Sequence, residues 1–379
     1  MKTYIAQKSD VKDIRNIWES NCGGNAFSNW FFDKVFYSGN AVVLKDDKKT
    51  VLCASTIPYK MNFEGHEIES SYIAGIIGNP EDKNTKNMDI LMADTLSYLK
   101  DKPIVFTVPD NYKTFARYGF SLCYEYKQYD ISPDDLPAIE FSGKMERPES
   151  LDKETIEKLN KIYKKFTLNK NGYTIREDKD WKLIFEDLYS NFGGRCAIYK
   201  NYNDEALGYI FYVIRDRKMW VYEMASVRRE GYEGLIAFIK AHSDDVARVI
   251  LKMPVDDLLN LNFCNNRMAV SLCPFAMARV LDVKEILKLY KDTAPEGLRL
   301  QIIDRAIEKN NHTFTFTNGD VITIETDANV ATDIGTFTQI ALGYISVDEA
   351  ASLNLIKGET EKLKQLFKKQ TTYVNMLNA

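Results

Sequence analysis

The chain is poor in the residues that build metal centres and nucleophile relays. Its three histidines, His66, His242 and His312, share no zinc-ligand spacing, so no metal is expected. No serine lies in a G-x-S-x-G frame, which removes the α/β-hydrolase type of nucleophile. The six cysteines, Cys22, Cys53, Cys123, Cys196, Cys264 and Cys273, include no C-x-x-C pair and read as reduced thiols packed as small apolar side chains. No apolar run approaches the ~20 residues of a membrane helix. Met1 to Lys8 lacks the apolar region of a signal peptide. A cytoplasmic protein with no membrane partner is therefore expected. With a net charge of −4 and no basic stripe, nucleic acid is not expected as a partner either, whereas a small cationic substrate remains compatible.

What is present is an ordinary globular composition, 45% hydrophobic and 27% charged over 379 residues, enough for two or three domains with their own cores. A strand at Thr3 to Ala6 leads to a helix from about Asp10, with Val11, Ile14, Ile17 and Trp18 on one stripe. Strands follow at Ala41 to Leu44, Val51 to Pro58 and Tyr72 to Ile77. The last of these breaks at Gly78-Asn79-Pro80 and passes through a polar loop into a helix carrying Met88, Leu91, Met92, Leu96 and Leu99 at helical spacing. A buried strand, Ile104 to Val108, and a short helix ending at Arg117-Tyr118-Gly119-Phe120 complete the segment. Ser132-Pro133-Asp134-Asp135-Leu136-Pro137 reads as a linker.

The same order returns after Pro148. Helices at Lys153 to Thr167 and Asp178 to Tyr189 precede strands at Arg195 to Lys200, Ala206 to Arg215 and Met219 to Ala225, a helix at Gly231 to Ala241 and a strand at Val246 to Met253. Repetition of one architecture suggests duplication. From about Phe275 the pattern changes to an α+β segment that ends in an amphipathic helix, Glu359 to Lys369, burying Leu363, Leu366 and Phe367.

The strand, loop, helix and strand around Tyr72 to Phe120 resemble the core of the GNAT acyltransferases. Tyr222-Glu223, the block Met277 to Val283 and the block Asp333 to Tyr344 extend the likeness to nearly the whole chain. In that order they resemble the enhanced-intracellular-survival family. The resemblance implies an α/β (α+β) fold with two tandem GNAT mixed-sheet domains, residues 1–131 and a degenerate copy at 148–274. A sterol-carrier-like α+β domain at 275–379 follows them. It further implies acetyl transfer from acetyl-CoA to a primary amine such as an aminoglycoside, polyamine or lysine-like group, and assembly into homo-oligomers. Backbone amides at Ile76, Ile77 and Gly78 would hold the pantetheine arm and polarise the thioester carbonyl.

The chain departs from the family pattern in three features: the pyrophosphate motif, the acid and the base. The pyrophosphate motif falls on Lys83-Asn84-Thr85-Lys86-Asn87-Met88, so Lys86 and Met88 occupy positions that are usually small. Lys83, Asn84, Lys86 and Asn87 are nonetheless the cofactor-binding candidates there, the lysines through their ammonium groups. The family tyrosine that protonates the leaving thiolate corresponds to Phe115, which lines the cofactor but cannot donate a proton. Tyr112 and Tyr118 are the alternatives. The family base is a C-terminal carboxylate, here borne by Ala379 in place of the usual phenylalanine. Should the carboxylate not serve, Glu64, His66 and Glu69 are titratable candidates on the strands leading to the cleft. The alternative to an enzyme is a binding or regulatory protein that keeps the scaffold without the chemistry.

Overall fold

In the computed structural model the described residues are 1–24, 26–47, 49–78, 85–262 and 269–375, with the side chain of residue 262 left aside. They fall into two compact units. The first comprises residues 1–124, 171–175 and 276–372, and the second 125–170, 176–275 and 373–379.

The first unit opens on β1 (Lys2–Ile5), α1 (Val11–Cys22), β2 (Ala41–Asp46), β3 (Lys49–Phe63) and β4 (His66–Gly78). It continues with α2 (Thr85–Tyr98), β5 (Ile104–Thr107) and α3 (Tyr112–Ala116). Strands β1 to β4 form an antiparallel meander, whereas β4 and β5, joined by α2, run parallel. Val42, Val43 and Leu44 in β2 are all buried, as a strand covered on both faces requires. Helix α1 lays Ile14, Ile17 and Trp18 on the sheet, and Trp18 stacks on Phe31 with ring centroids 4.6 Å apart.

Strands β3 and β4 reach farther toward their common hairpin than their apolar cores suggest. They continue through Tyr59 to Phe63 and His66 to Ser71 and turn at Glu64-Gly65, both in left-handed backbone conformation.

The second unit contains the end of β6 (Ser121–Ile131), β7 (Lys144–Glu146), α4 (Lys153–Phe166) and α5 (Asp178–Phe192). Then come β8 (Arg195–Lys200), β9 (Ala206–Arg215), β10 (Lys218–Ser226), α6 (Arg229–Lys240) and β11 (Arg248–Pro254). Its sheet runs β6, β11, β10, β9, β8, β7, with β10 and β11 the parallel pair. Asp152 caps α4, its carboxylate accepting from the Thr155 amide at 2.8 Å, a contact worth about 1 kcal/mol. The core gathers Tyr199, Leu207, Ile210, Val221, Leu235, Ile239, Val249 and Leu251.

Strand β12 (Ala269–Val280) runs on through Phe275, the position at which a new domain was expected. Its last residues, Met277 to Val280, pair antiparallel with Thr107 to Ile104 of β5. The chain then builds a five-stranded sheet from β13 (Arg299–Ile303), β14 (Thr313–Thr317), β15 (Asp320–Ile324), β16 (Val330–Asp333) and β17 (Ile356–Gly358). Helices α7 (Val283–Lys288), α8 (Ile334–Ala341), α9 (Val347–Ser352) and α10 (Glu361–Leu366) accompany it. Leu363, Leu366 and Phe367 are buried, as their spacing predicted.

Arg279 ties this region to the first sheet. Its guanidinium forks onto Asp304 with both contacts at 2.8 Å and donates to the Tyr118 carbonyl. Gly119 follows with φ +80°, and a Cβ there would run into that guanidinium. No helix among the described residues is long and apolar enough to cross a membrane.

Candidate active site

The parallel pairing of β4 with β5 stops at Tyr72 opposite Phe106. Strand β4 runs on to Gly78 with β3 as its partner, so the two parallel strands part. Its register against β3 also shifts, Ser55 facing Gly75 and Thr56 facing Ile73, which leaves Ala74 as a bulge. A bulge re-aims the groups around it. Ala74, Gly75 and Ile76 are accordingly half-exposed, whereas Ser70 to Ile73 are buried. The Thr107 hydroxyl donates to the Ile73 carbonyl at 3.0 Å and closes the base of the opening. Among the described residues, then, Ile76, Ile77 and Gly78 sit on a strand edge with backbone groups toward a gap. Asn21 fixes the outer end by donating to the Gly78 carbonyl at 2.8 Å.

Helix α2 begins beside this gap. Lys83 and Asn84 lie outside the described residues. Lys86 is exposed on the first turn of α2, Asn87 is buried there, and Met88 turns inward against Ile73, Met92 and Phe115. Met88, at a position where the resemblance implies a small residue, is half-buried against that cluster.

Phe115 is buried and meets Phe120 edge-to-face at 5.6 Å. Tyr112, one turn earlier on α3, is half-buried against the same cluster as Ile76 and Met88. Tyr118 belongs to that cluster too, but its hydroxyl donates to Asp89 on α2 at 2.8 Å and accepts from Arg117. Burial, with the Asp89 bond, pushes its phenol up to about 12. Of the two tyrosines, Tyr112 has the more open position and Tyr118 is committed to α2.

Glu64, His66 and Glu69 stand elsewhere. At about 3.3 Å per residue, β4 separates His66 from Ile76 by roughly 30 Å. Glu64 in the hairpin accepts from Tyr290 at 3.3 Å and from Gln370, and burial raises its carboxyl. Glu69 pairs with Lys102 at 2.8 Å. These acids hold the hairpin end, because the strands extend well past their apolar cores. Ala379 lies outside the described residues.

One acid at the gap had no sequence signal. Burial raises the phenol of Tyr72 and the thiol of Cys22, and in both the charge of Asp110 adds to the effect. Asp110 lies three residues beyond the end of β5, close enough to Tyr72 and Cys22 for its charge to be felt at both. An isolated acidic residue after a strand carries no motif that marks it.

The second unit repeats the geometry with different contents. Its parallel pairing ends at Val221 opposite Leu251, and its bulge falls on Tyr222, since Phe211 faces Glu223 and Tyr212 faces Val221. Glu223 stands where the first unit has Gly75. It is fully buried, forked by Arg176 with both contacts at 2.7 Å, and receives hydrogen bonds from Tyr209, Tyr373 and Asn375. Burial alone would raise its carboxyl, but Arg176 more than offsets this and holds it below the usual carboxylate range.

A family model described as an acetyltransferase (GNAT) domain matches residues 5–123, a second GNAT model matches residues 172–280, and a sterol carrier protein domain matches residues 283–375. The chain carries two GNAT acetyltransferase domains in tandem, followed by a sterol carrier protein domain. Its fold is shared by solved structures at low sequence identity. A probable N-acyltransferase of unknown function from Enterococcus faecalis V583 superposes with a TM-score of 0.86 at 20% identity, covering 99% of each chain. A GCN5-related N-acetyltransferase from Anabaena variabilis gives 0.84 at 17%, covering 98% of each. Eis1 from Mycobacterium abscessus gives 0.79 at 16%, covering 99% of this chain and all of that one. No curated protein sequence matches the chain significantly.

The residues at the first gap fit an acyl-CoA in part. The open edge from Ile73 to Gly78 suits the amide-rich pantetheine arm. The helix start suits a pyrophosphate, though the side chains of Lys86 and Met88 replace the close backbone approach that small residues allow. Among the described residues no cluster of His, Cys, Asp or Glu has a metal-binding arrangement.

Proposed function

We propose that this tandem GNAT protein is an N-acetyltransferase whose first domain moves an acetyl group from acetyl-CoA to a primary amine on a small cationic molecule, of the aminoglycoside, polyamine or lysine-like class. The observation that carries this reading is the opening of β4 from β5 beyond Tyr72, with the bulge at Ala74 on its rim. Bound there, acetyl-CoA supplies an activated thioester carbonyl.

The chain's own groups do the rest. Amides from Ile76 to Gly78 bind the arm and orient the carbonyl, and Lys86 offsets phosphate charge from the first turn of α2. Asp110 attracts the cationic acceptor to the gap. The terminal carboxylate of Ala379 takes the proton from the attacking amine, and the Tyr112 hydroxyl, from the half-buried face of α3, gives one to the departing sulfur. In this reading Tyr118 positions α3 against α2 through Asp89. The protein acts in the cytoplasm as a homo-oligomer.

The test is acetyl transfer to a panel of polyamines and aminoglycosides by the wild type and by Asp110→Asn. The reading expects amide products and a KM for the amine raised about tenfold in the variant, one lost charge contact being worth about 1.4 kcal/mol. Stabilisation by acetyl-CoA with no transfer to any amine would instead support the non-catalytic alternative, which the presence of Phe115 at the acid position favours.

A further inference from the structure

One face of the second unit's sheet sets cations and aromatic rings in register. Tyr212, Met219, Val221, Val249, Leu251 and Tyr129 all belong to that unit's core, so the residues alternating with them on β9, β10, β11 and β6 point to the opposite face. There Arg215, Lys218 and Arg248 form one row across three strands, Arg215 facing Lys218 and Lys218 facing Arg248. The next row places Trp220 between Val213 and Ile250. Lys252, two residues past Ile250, faces Gln128 on β6, and Tyr126 follows on the same face. Along β11 the row of three cations and Lys252 are about 13 Å apart.

Trp181 of α5 covers part of this face, meeting Phe211 with ring centroids 6.3 Å apart. Beyond it the face is open. Arg215 and Lys218 are exposed, Trp220 is 39% exposed although strands pair on both sides of it, and Tyr126, Tyr222 and Lys252 are half-buried. The Lys252 ammonium lies 5.2 Å from the centre of the Tyr126 ring and 5.7 Å from that of Tyr222, the bulge residue of β10, and the ring faces hold it as a cation. Among the described residues Arg215, Lys218 and Lys252 enter no ion pair. Arg248 does, its Nε donating to Asp130 at 2.8 Å. In these rows four cations thus face one carboxylate. The net charge of −4 conceals that surplus, because three strands assemble it.

We infer that this open face binds single-stranded nucleic acid, a base stacking on Trp220 while the backbone phosphates on either side of it lie on the Arg215, Lys218, Arg248 row and on Lys252. Cations alone would suit any polyanion, and a bare ring any planar apolar group. With cations on both sides of the ring along the strands, the face matches a ligand that alternates charge and π-face along its length. A duplex keeps its bases stacked on one another and leaves the ring without a partner. The inference rests on the second unit and is independent of acetyl transfer in the first.

The experiment titrates fluorescein-labelled oligo(dT) and oligo(U) of about ten nucleotides with the full chain and reads anisotropy across a series of salt concentrations. Binding is expected, with log K falling against log salt at a slope of about −2 to −3, as about three or four phosphate contacts on a single strand give. Trp220→Ala is expected to weaken binding about tenfold, the loss of one base stack, with the slope unchanged. Lys218→Ala is expected to make the slope shallower by about 0.7. No binding at low salt overturns the inference, as does equal affinity for a labelled duplex of the same length. An affinity unchanged in Trp220→Ala also overturns it, and would reduce the face to a general polyanion surface.

Discussion

Tyr72 and Phe106 are the last paired residues of β4 and β5, and the gap that opens beyond them is the feature on which the functional reading rests. Tyr72 stacks on Phe106 with centroids 5.4 Å apart, so the wedge that starts the parting is itself a buried aromatic contact.

Acetyl-CoA is expected to protect the amides of Ile73 to Gly78 from hydrogen exchange and to leave those of Tyr222 to Ser226 unchanged, because Glu223 and its partners fill the second parting. A ligand at 100 times its Kd adds about 2.7 kcal/mol of stability, which a thermal scan reads directly. Protection confined to the second strand would reverse the assignment of the two domains.

Exchange of the phenylalanine for a phenol tests the acid. Phe115→Tyr is expected to raise turnover, and Tyr112→Phe to lower kcat by about 10²-fold if Tyr112 now does that work. Steady-state kinetics at matched stability checks both. An unchanged kcat in Tyr112→Phe assigns the proton to water.

Deletion of Met376 to Ala379 is expected to abolish transfer while leaving the melting temperature nearly intact. The preceding Tyr373 and Asn375 keep their hydrogen bonds to Glu223. A C-terminal tag, which replaces the carboxylate by an amide, is expected to act like the deletion. Wild-type rates in both forms would eliminate the carboxylate as base.

The buried Arg176–Glu223 pair sets a pH limit. Its carboxyl is held below its unfolded value, so its contribution is complete above about pH 4.3 and is lost as pH falls through the folded value. Glu223→Gln strands a buried guanidinium and is expected to cost about 3–5 kcal/mol in chemical denaturation at pH 7. Asp187 has the opposite sign. Its buried Oδ2 has no hydrogen-bond partner among the described residues, and burial raises the carboxyl to about 6. Asp187 therefore destabilises the fold increasingly as pH rises from the unfolded value toward 6, and Asp187→Asn is expected to melt higher at pH 8 but not at pH 4.

Much of the fold was legible because apolar periodicity marks its elements. The strands Arg195–Lys200 and Ala206–Arg215 fall where their apolar runs begin and end. Less legible were the polar ends of β3 and β4, which pair through backbone groups that composition does not reveal. Strand β6, which contains Tyr124, Tyr126 and Tyr129, and the short elements at Val330–Asp333 and Val347–Ser352 were not anticipated.

The site was legible as a layout. Ile76 to Gly78 could be named from an apolar strand ending in glycine, but the bulge at Ala74 is a register event between two strands and leaves no mark in either. Asp110 was invisible for a related reason: Cys22 and Tyr72, which feel its charge, come from distant parts of the chain.

The most direct test of the account is acetyl transfer itself, measured as CoA thiol released and amide formed when the protein meets acetyl-CoA and a cationic primary amine. Equal amounts of both products are expected, abolished by removal of the four C-terminal residues. Binding of acetyl-CoA with no amide formed from any polyamine, aminoglycoside or lysine-containing acceptor would contradict it.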